Sequence, residues 1–367
     1  MADEYTEETL DMLRKDPLNT ALNPSVVRDF AMAKKFTDNK APVTSLDFNL
    51  DGTFCITTSK DESLRIYDCM RGTREQVLYS KKYGCNLAQF TSQSGYVAYA
   101  STKINDTIRY LSFETNQYLR YFVGHKGFVT SLKRNPDGRC LMSAAIDGTV
   151  RLWDLNTVNP TSSVDVCGRD AGVSAAYDPS GMVVAVSVDS SQIRLFDVRE
   201  LTRGPFFSWS IGATKATGNS TIPATVSGVT FVPPLGDFLM LAMTDGSVQT
   251  WNTQTGDFVV SLTPSPTKDL GHAAAIDKMR DTFLGQNLSV TPDGRTVLCG
   301  CRDGNIAYWD ISRLLQNAQS DTDVPRSISP DGLWNGSHTG PVGVCAFNPF
   351  VMECFTAAIS LSIWSIR

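Results

Sequence analysis

Residues 124–154 read GHKGFVTSLKRNPDGRCLMSAAIDGTVRLWD. Apolar and polar residues alternate through three short runs, the pattern of strands buried on one side, and Pro136-Asp137-Gly138 and Asp147-Gly148 supply tight turns between them. The third run closes on Trp153-Asp154. Six other short apolar runs close alike, on an aromatic or aliphatic residue followed by Asp or a small polar stand-in. They end at Tyr67-Asp68, Leu111-Ser112, Phe196-Asp197, Trp251-Asn252, Trp309-Asp310 and Trp364-Ser365, so that successive endings lie 44, 42, 43, 55, 58 and 55 residues apart. Each interval holds about four short strands and is too short to bury a core alone, so the units must stack on one another.

A period just above 40 residues ending in Trp-Asp is the signature of WD repeats, in which every unit is a four-stranded propeller blade. The predicted fold is therefore all-β, a seven-bladed WD-repeat β-propeller over residues 25–367. In each blade strand a lines the central channel and strand d lies outermost. Six blades fit between residue 41 and about residue 337, but the seventh supplies only three strands, from Val342 to Ile366. A ring lacking one strand would expose an edge prone to aggregation. The stretch SVVRDFAMAKKF, residues 25–36, is predicted to provide that outer strand and clasp the ring shut, a helix being its other reading. The longer late intervals predict insertions near 211–224, 264–284 and 311–337, with a short helix at 270–280 in the second. Surface insertions cost little closure entropy and often carry function.

Composition fits one domain spread over stacked blades. No run approaches the roughly 18 apolar residues of a membrane span, and the acidic start MADEYTEE lacks the basic and then apolar pattern of a secretory signal, so export is not expected. Nine cysteines, without a Cys-x-x-Cys, read as buried free thiols in a reducing compartment, cytosol or nucleus. The formal charge of −5 sits almost wholly in residues 1–24, where Asp3, Glu4, Glu7, Glu8, Asp11 and Asp16 face only Arg14 and Lys15. That segment is expected to be flexible or held by a partner. The near-neutral remainder lacks the basic excess of a dedicated nucleic-acid binder.

His125, Ser143, Asp147 and Trp153 contain the ingredients of a hydrolytic triad. In WD repeats, however, these positions form a buried hydrogen-bond chain that locks the blade, with no exposed nucleophile or oxyanion pocket. The four are assigned to structure, and no catalytic residue is expected. Three histidines in the whole chain are too few for a multi-histidine metal centre, and no cofactor is implied.

The second blade looks more functional. Residues 81–126 carry six bases (Lys81, Lys82, Lys103, Arg109, Arg120, Lys126) against Asp106 and Glu114, and they are dense in aromatic residues. Basic and aromatic groups together suit an acidic or phosphorylated peptide, through charge-assisted hydrogen bonds, or a single strand of nucleic acid, through stacking. The alternative is a blade whose rings pack on its neighbours while its charges are solvated. The partner-binding candidates are Lys60, Lys81, Lys82, Tyr83, Lys103, Asn105, Asp106 and Arg109. In the expected strand order their loops emerge on one face.

Tyr67-Asp68-Cys69, LYSKKYG at 78–84, KINDTIRYLS at 103–112 and YFVGH at 121–125 closely resemble the WD-repeat-containing protein 82 family. This is the counterpart of the yeast subunit shared by COMPASS and the cleavage and polyadenylation factor. HTGPV at 338–342 and FNP at 347–349 look like its last repeat, and the likeness runs from about Ser25 to the end apart from the three insertions. The resemblance implies a non-catalytic adaptor in the nucleus. Its partners would be protein subunits of a COMPASS-type histone methyltransferase, of a protein phosphatase 1 complex acting in transcription termination, or both, together with the phosphorylated tail of RNA polymerase II. A module for RNA or single-stranded nucleic acid is the competing reading, though the near-neutral ring speaks against it.

Overall fold

All seven endings read in the sequence fall in the third strand of a sheet: Ser63–Asp68, Ile108–Ser112, Thr149–Asp154, Gln192–Asp197, Val248–Asn252, Ile306–Asp310 and Leu361–Ile366. The structure is a computed structural model of the 367-residue chain, and it describes residues 22–92, 95–168, 172–189, 191–211, 225–264, 286–312, 314, 327–336 and 338–366. The acidic segment up to residue 21, the expected helix at 270–280 and most of the three insertions lie outside the described residues.

Among the described residues the strands form seven antiparallel meanders. Blade 1 runs Val43–Phe48, Phe54–Ser59, Ser63–Asp68 and Thr73–Tyr79, and blade 2 runs Asn86–Phe90, Tyr96–Ala100, Ile108–Ser112 and Gln117–Phe122. The first strands of successive blades pack side by side, and Val43–Phe48 of blade 1 also meets Val344–Phe347 of blade 7, which closes the circle. Polar side chains on these inner strands tie several of the blades to the next. Asp47 accepts the Phe90 amide at 2.8 Å, and Ser289 accepts the Phe347 amide at 3.0 Å.

The apolar core is divided among the junctions. Each of seven buried clusters joins residues of two neighbouring blades, for example Ile56, Leu64 and Ile66 of blade 1 with Phe90, Val97 and Leu111 of blade 2. Burying one such side chain contributes about 1.5–3 kcal/mol. Blade-to-blade packing thus holds the ring, and the turns must sit close. Gly294, at φ +69°, would place a Cβ 1.9 Å from the Pro233 carbonyl oxygen of the preceding blade's turn, so no side chain fits there.

Blade 7 takes its outer strand from the other end of the chain. Phe30–Phe36 pairs antiparallel with Leu361–Ile366, from Phe30 opposite Ile366 to Phe36 opposite Leu361, with a bulge between Met32 and Lys34. The expected strand from residue 25 begins later. Asn23 caps a five-residue helix, Pro24–Arg28, by accepting the Val26 amide, and Pro24 favours the first turn. Its Val27 is buried with Phe30 in the cluster between blades 6 and 7.

The third insertion also needs correction, because residues 311–337 are not all loop. Gly332–Trp334 is the outer strand of blade 6, and Trp334 is buried, stacking on Phe30 at 5.5 Å and Trp364 at 5.1 Å. Ser327–Ile328 adds a fifth, parallel strand to blade 5 beside Phe258–Leu262. The strands are too short, and too rich in turn residues nearby, to show as periodicity.

Candidate partner-binding surface

In blade 3 the four residues of the triad-like set are joined. Trp153 Nε1 donates to Ser143 Oγ at 2.8 Å, Ser143 Oγ lies 2.6 Å from His125 Nε2, and His125 Nδ1 is 3.1 Å from Asp147 Oδ2. Because the Asp147 carboxylate can only accept, His125 Nδ1 carries the proton that points at it, and Nε2 of the neutral ring accepts from the Ser143 hydroxyl, whose oxygen in turn accepts from the indole. Burial holds His125 below its ordinary basicity against the pull of Asp147. Burial would raise Asp147, but the Lys126 amide, Thr149 and His125 bring it below its usual range. Ser143 is wholly buried with its hydroxyl engaged at both ends, so the set works as a latch and has no face for a substrate.

A second latch went unread in the sequence. In blade 7 Trp364 Nε1 donates to Thr356 Oγ1 at 2.8 Å, and Thr356 lies 2.9 Å from His338 Nε2. His338 Nδ1 meets Ser360 Oγ at 3.1 Å, with Ser360 in the place that Asp147 holds in blade 3. The signal was spacing, since both histidines stand 18 and 22 residues before their partners. Burial, with Lys35 nearby, pushes His338 down to about 4.

The candidate residues of blades 1 and 2 do gather on one face, where the b–c turns and the d–a connections emerge. The Thr102 and Lys103 amides donate to the Tyr83 carbonyl at 3.0 and 2.8 Å, which joins the connection entering blade 2 to its b–c turn. Lys103 pairs with Glu62 across the junction, and the Lys40 amide donates to Asp61 at 3.0 Å. Lys60, Lys81, Lys82, Lys103 and Asn105 are exposed, and Asp106 is partly buried. Burial, with Asp147 nearby, raises the Asp106 carboxyl. The Lys82 ammonium lies 5.1 Å from the Tyr83 ring centre, and Lys81 lies 5.7 Å from that of Tyr79.

Arg109 is placed differently from the others. It is 3% exposed, its Nε donates to Ser101 Oγ at 2.9 Å, and its guanidinium lies 3.4, 5.2 and 5.6 Å from the ring centres of Tyr83, Tyr121 and Tyr118. A cation wedged among three rings organises that wall and does not reach a partner. The same strand position carries Arg65, buried with Asp61 at 3.1 Å, and also Arg151 and Arg194, each bonded within its blade or to the preceding loop. The recurrence of this arginine in four units was the available clue.

Two of the three rings that Arg109 supports were missed as site residues. Tyr118 and Tyr121 stand 5.6 Å apart on the outer strand of blade 2, at 37% and 44% exposure, and Tyr79 and Ile104 are more exposed still. A hydroxyl chain steadies them, from Ser80 to the buried Tyr99 at 3.0 Å and from Tyr99 to Tyr118 at 2.9 Å. The surface is thus a set of exposed ammonium groups beside phenol rings held by hydrogen bonds and stacking. It can take up carboxylate or phosphate together with flat apolar contacts.

Elsewhere the chemistry is quiet. All nine cysteines are free and at least partly buried, and burial pushes Cys85 up to about 12. Among the described residues no three His, Cys, Asp or Glu side chains gather as a metal site, and no helix is long and apolar enough to cross a membrane.

The sevenfold ring with its His–Ser/Thr–Trp latches is that of a WD-repeat β-propeller, and residues 31–68, 116–154 and 284–310 match the WD domain, G-beta repeat family. Similarity extends over nearly the whole chain to WD repeat-containing protein 82 of Drosophila melanogaster, 33% identical over 93% of this chain and 95% of the relative. The chain belongs to the WD repeat-containing protein 82 family. COMPASS component SWD2 of Saccharomyces cerevisiae is 32% identical over 81% of this chain and 85% of its own, and Set1 complex component swd2 of Schizosaccharomyces pombe is 40% identical over 45% of each.

Proposed function

We propose that the chain is a non-catalytic scaffold subunit of a nuclear complex of the COMPASS or Set1 type, holding peptide segments of larger subunits and placing their enzyme on chromatin. Two relatives bear the names of such components. The observation that carries the reading is the surface of blades 1 and 2, where exposed Lys60, Lys81, Lys82 and Lys103 lie on the face that carries Tyr83, with Tyr118 and Tyr121 beside it. Such a surface suits an acidic or phosphorylated segment, including the phosphorylated tail of RNA polymerase II. A protein phosphatase 1 complex is a second assembly into which the same scaffold fits.

Reversal of both Lys81 and Lys82 to Glu tests this. Both side chains are exposed, so the melting curve should be unchanged while capture of the methyltransferase, the phosphatase scaffold or a phosphorylated polymerase-tail peptide is lost. Retention of all three would remove this surface from the proposal. Binding to single-stranded RNA with steep, multi-phosphate salt dependence, and to none of the proteins, would favour the nucleic-acid reading.

A further inference from the structure

The strand order sorts the charges of the ring by face. The a–b and c–d connections, on the face opposite the candidate surface, carry acids such as Asp51, Asp68, Asp137, Asp154, Asp197 and Asp293. Exposed lysines collect on the other face over blades 1 to 3, at Lys40, Lys60, Lys81, Lys82, Lys103 and Lys126. Of the acids on that face, Asp61 is engaged by Arg65, Glu62 by Lys103 and Asp147 by His125, while Asp106 is partly buried.

The same chain holds an unusually matched ligand for that surface. Residues 1–21 contain six acids, interspersed with Tyr5, Leu10, Met12 and Leu13. We propose that this segment docks on the lysine and tyrosine surface of blades 1 and 2 and occupies it until an acidic or phosphorylated partner displaces it. The proposal rests on the reading of that surface given above.

Charge and apolar character both complement. The segment's carboxylates would meet lysines, and its apolar residues would meet the exposed side chains of Tyr79 on blade 1 and of Ile104, Tyr118 and Tyr121 on blade 2. Reach is sufficient. Leu22 packs against the cluster between blades 6 and 7, so the segment starts from that rim. An extended chain of its length spans about 70 Å, whereas a globule of the ring's size is about 50 Å across. Tethering then supplies a local concentration of about millimolar, enough for contacts that would be weak between separate molecules.

Carbodiimide coupling of the full chain, followed by peptide mapping, tests the docking directly. The expected products join the carboxylates of residues 3–16 to Lys81, Lys82 or Lys103 within one molecule, at a yield independent of protein concentration and suppressed by high salt. Coupling spread evenly over all exposed lysines, or rising with protein concentration, would overturn it. A variant with the six acids changed to Asn or Gln should lose the products and bind the partner more tightly. A segment that covers the surface nine-tenths of the time lowers apparent affinity about tenfold. Unchanged affinity in this variant, with the partner still lost in the Lys81→Glu/Lys82→Glu chain, would overturn displacement while leaving the partner site standing. Coupling to Lys81 and Lys82 in a chain whose partners ignore both lysines would show docking at a surface that the partners do not use, and competition would fall.

Discussion

The Arg109 guanidinium lies 3.4 Å from the centre of the Tyr83 ring, at stacking distance. The connection that carries Lys81 and Lys82 is thereby fixed to the third strand of blade 2, so two exposed cations are presented from a rigid base. Loss of this stack should be felt as stability before it is felt as binding.

Arg109→Ala should cost about 2–4 kcal/mol, from the desolvated cation–π contact and the hydrogen bond to Ser101. Arg109→Lys should recover little of it, because a point charge cannot stack. Urea titration gives the difference. A cost below about 0.5 kcal/mol would mean that the arginine is free to serve a partner.

His125→Ala leaves the buried Ser143 and Asp147 without their shared partner and should destabilise by about 1–3 kcal/mol. Partner capture in the cold, where the protein stays folded, should be retained. A fully stable variant that fails only in capture would move His125 to the recognition surface.

His338 makes the ring sensitive to mild acid. Its basicity in the folded state is lowered to about 4 from an ordinary 6.5, so below pH 6.5 the unfolded chain takes up a proton that the folded ring refuses. This contribution is full above pH 6.5 and is lost as pH falls toward 4, at up to about 1.4 kcal/mol per pH unit. Subtracting the pH–stability curve of His338→Gln from that of the parent isolates it. Parallel curves over this window would contradict the assignment.

Phe30→Ala removes a ring stacked on Trp334 and Phe347 at the seam where the circle closes, and should cost about 3–5 kcal/mol. Deletion through residue 37 should go further and give dimers or aggregates, because Leu361–Ile366 would lose its neighbour. Deletion of residues 1–20 should leave the melting temperature nearly unchanged. Light scattering separates the two truncations, and like behaviour would refute closure by this strand.

The ring was legible wherever a local rule repeated. Turn dipeptides and aromatic endings recur with each blade, since every blade solves one packing problem. Gly332–Trp334 escaped notice because three residues carry no period, and only the rings of Phe30 and Trp364 show what Trp334 is for. Arg109 was misread for a related reason. Sequence shows a cation among aromatic residues, but strand register decides whether it faces water or rings. The tyrosine wall was visible as composition, yet its exposure depends on the outer strand having no neighbour beyond it.

Because residues 30–36 pair with residues 361–366, among the described residues the strand made earliest waits for the last. At ordinary synthesis rates that interval is roughly 20–70 s. During it the nascent chain is an open arc with a bare edge at either end. Completion of the ring is then timed by synthesis itself.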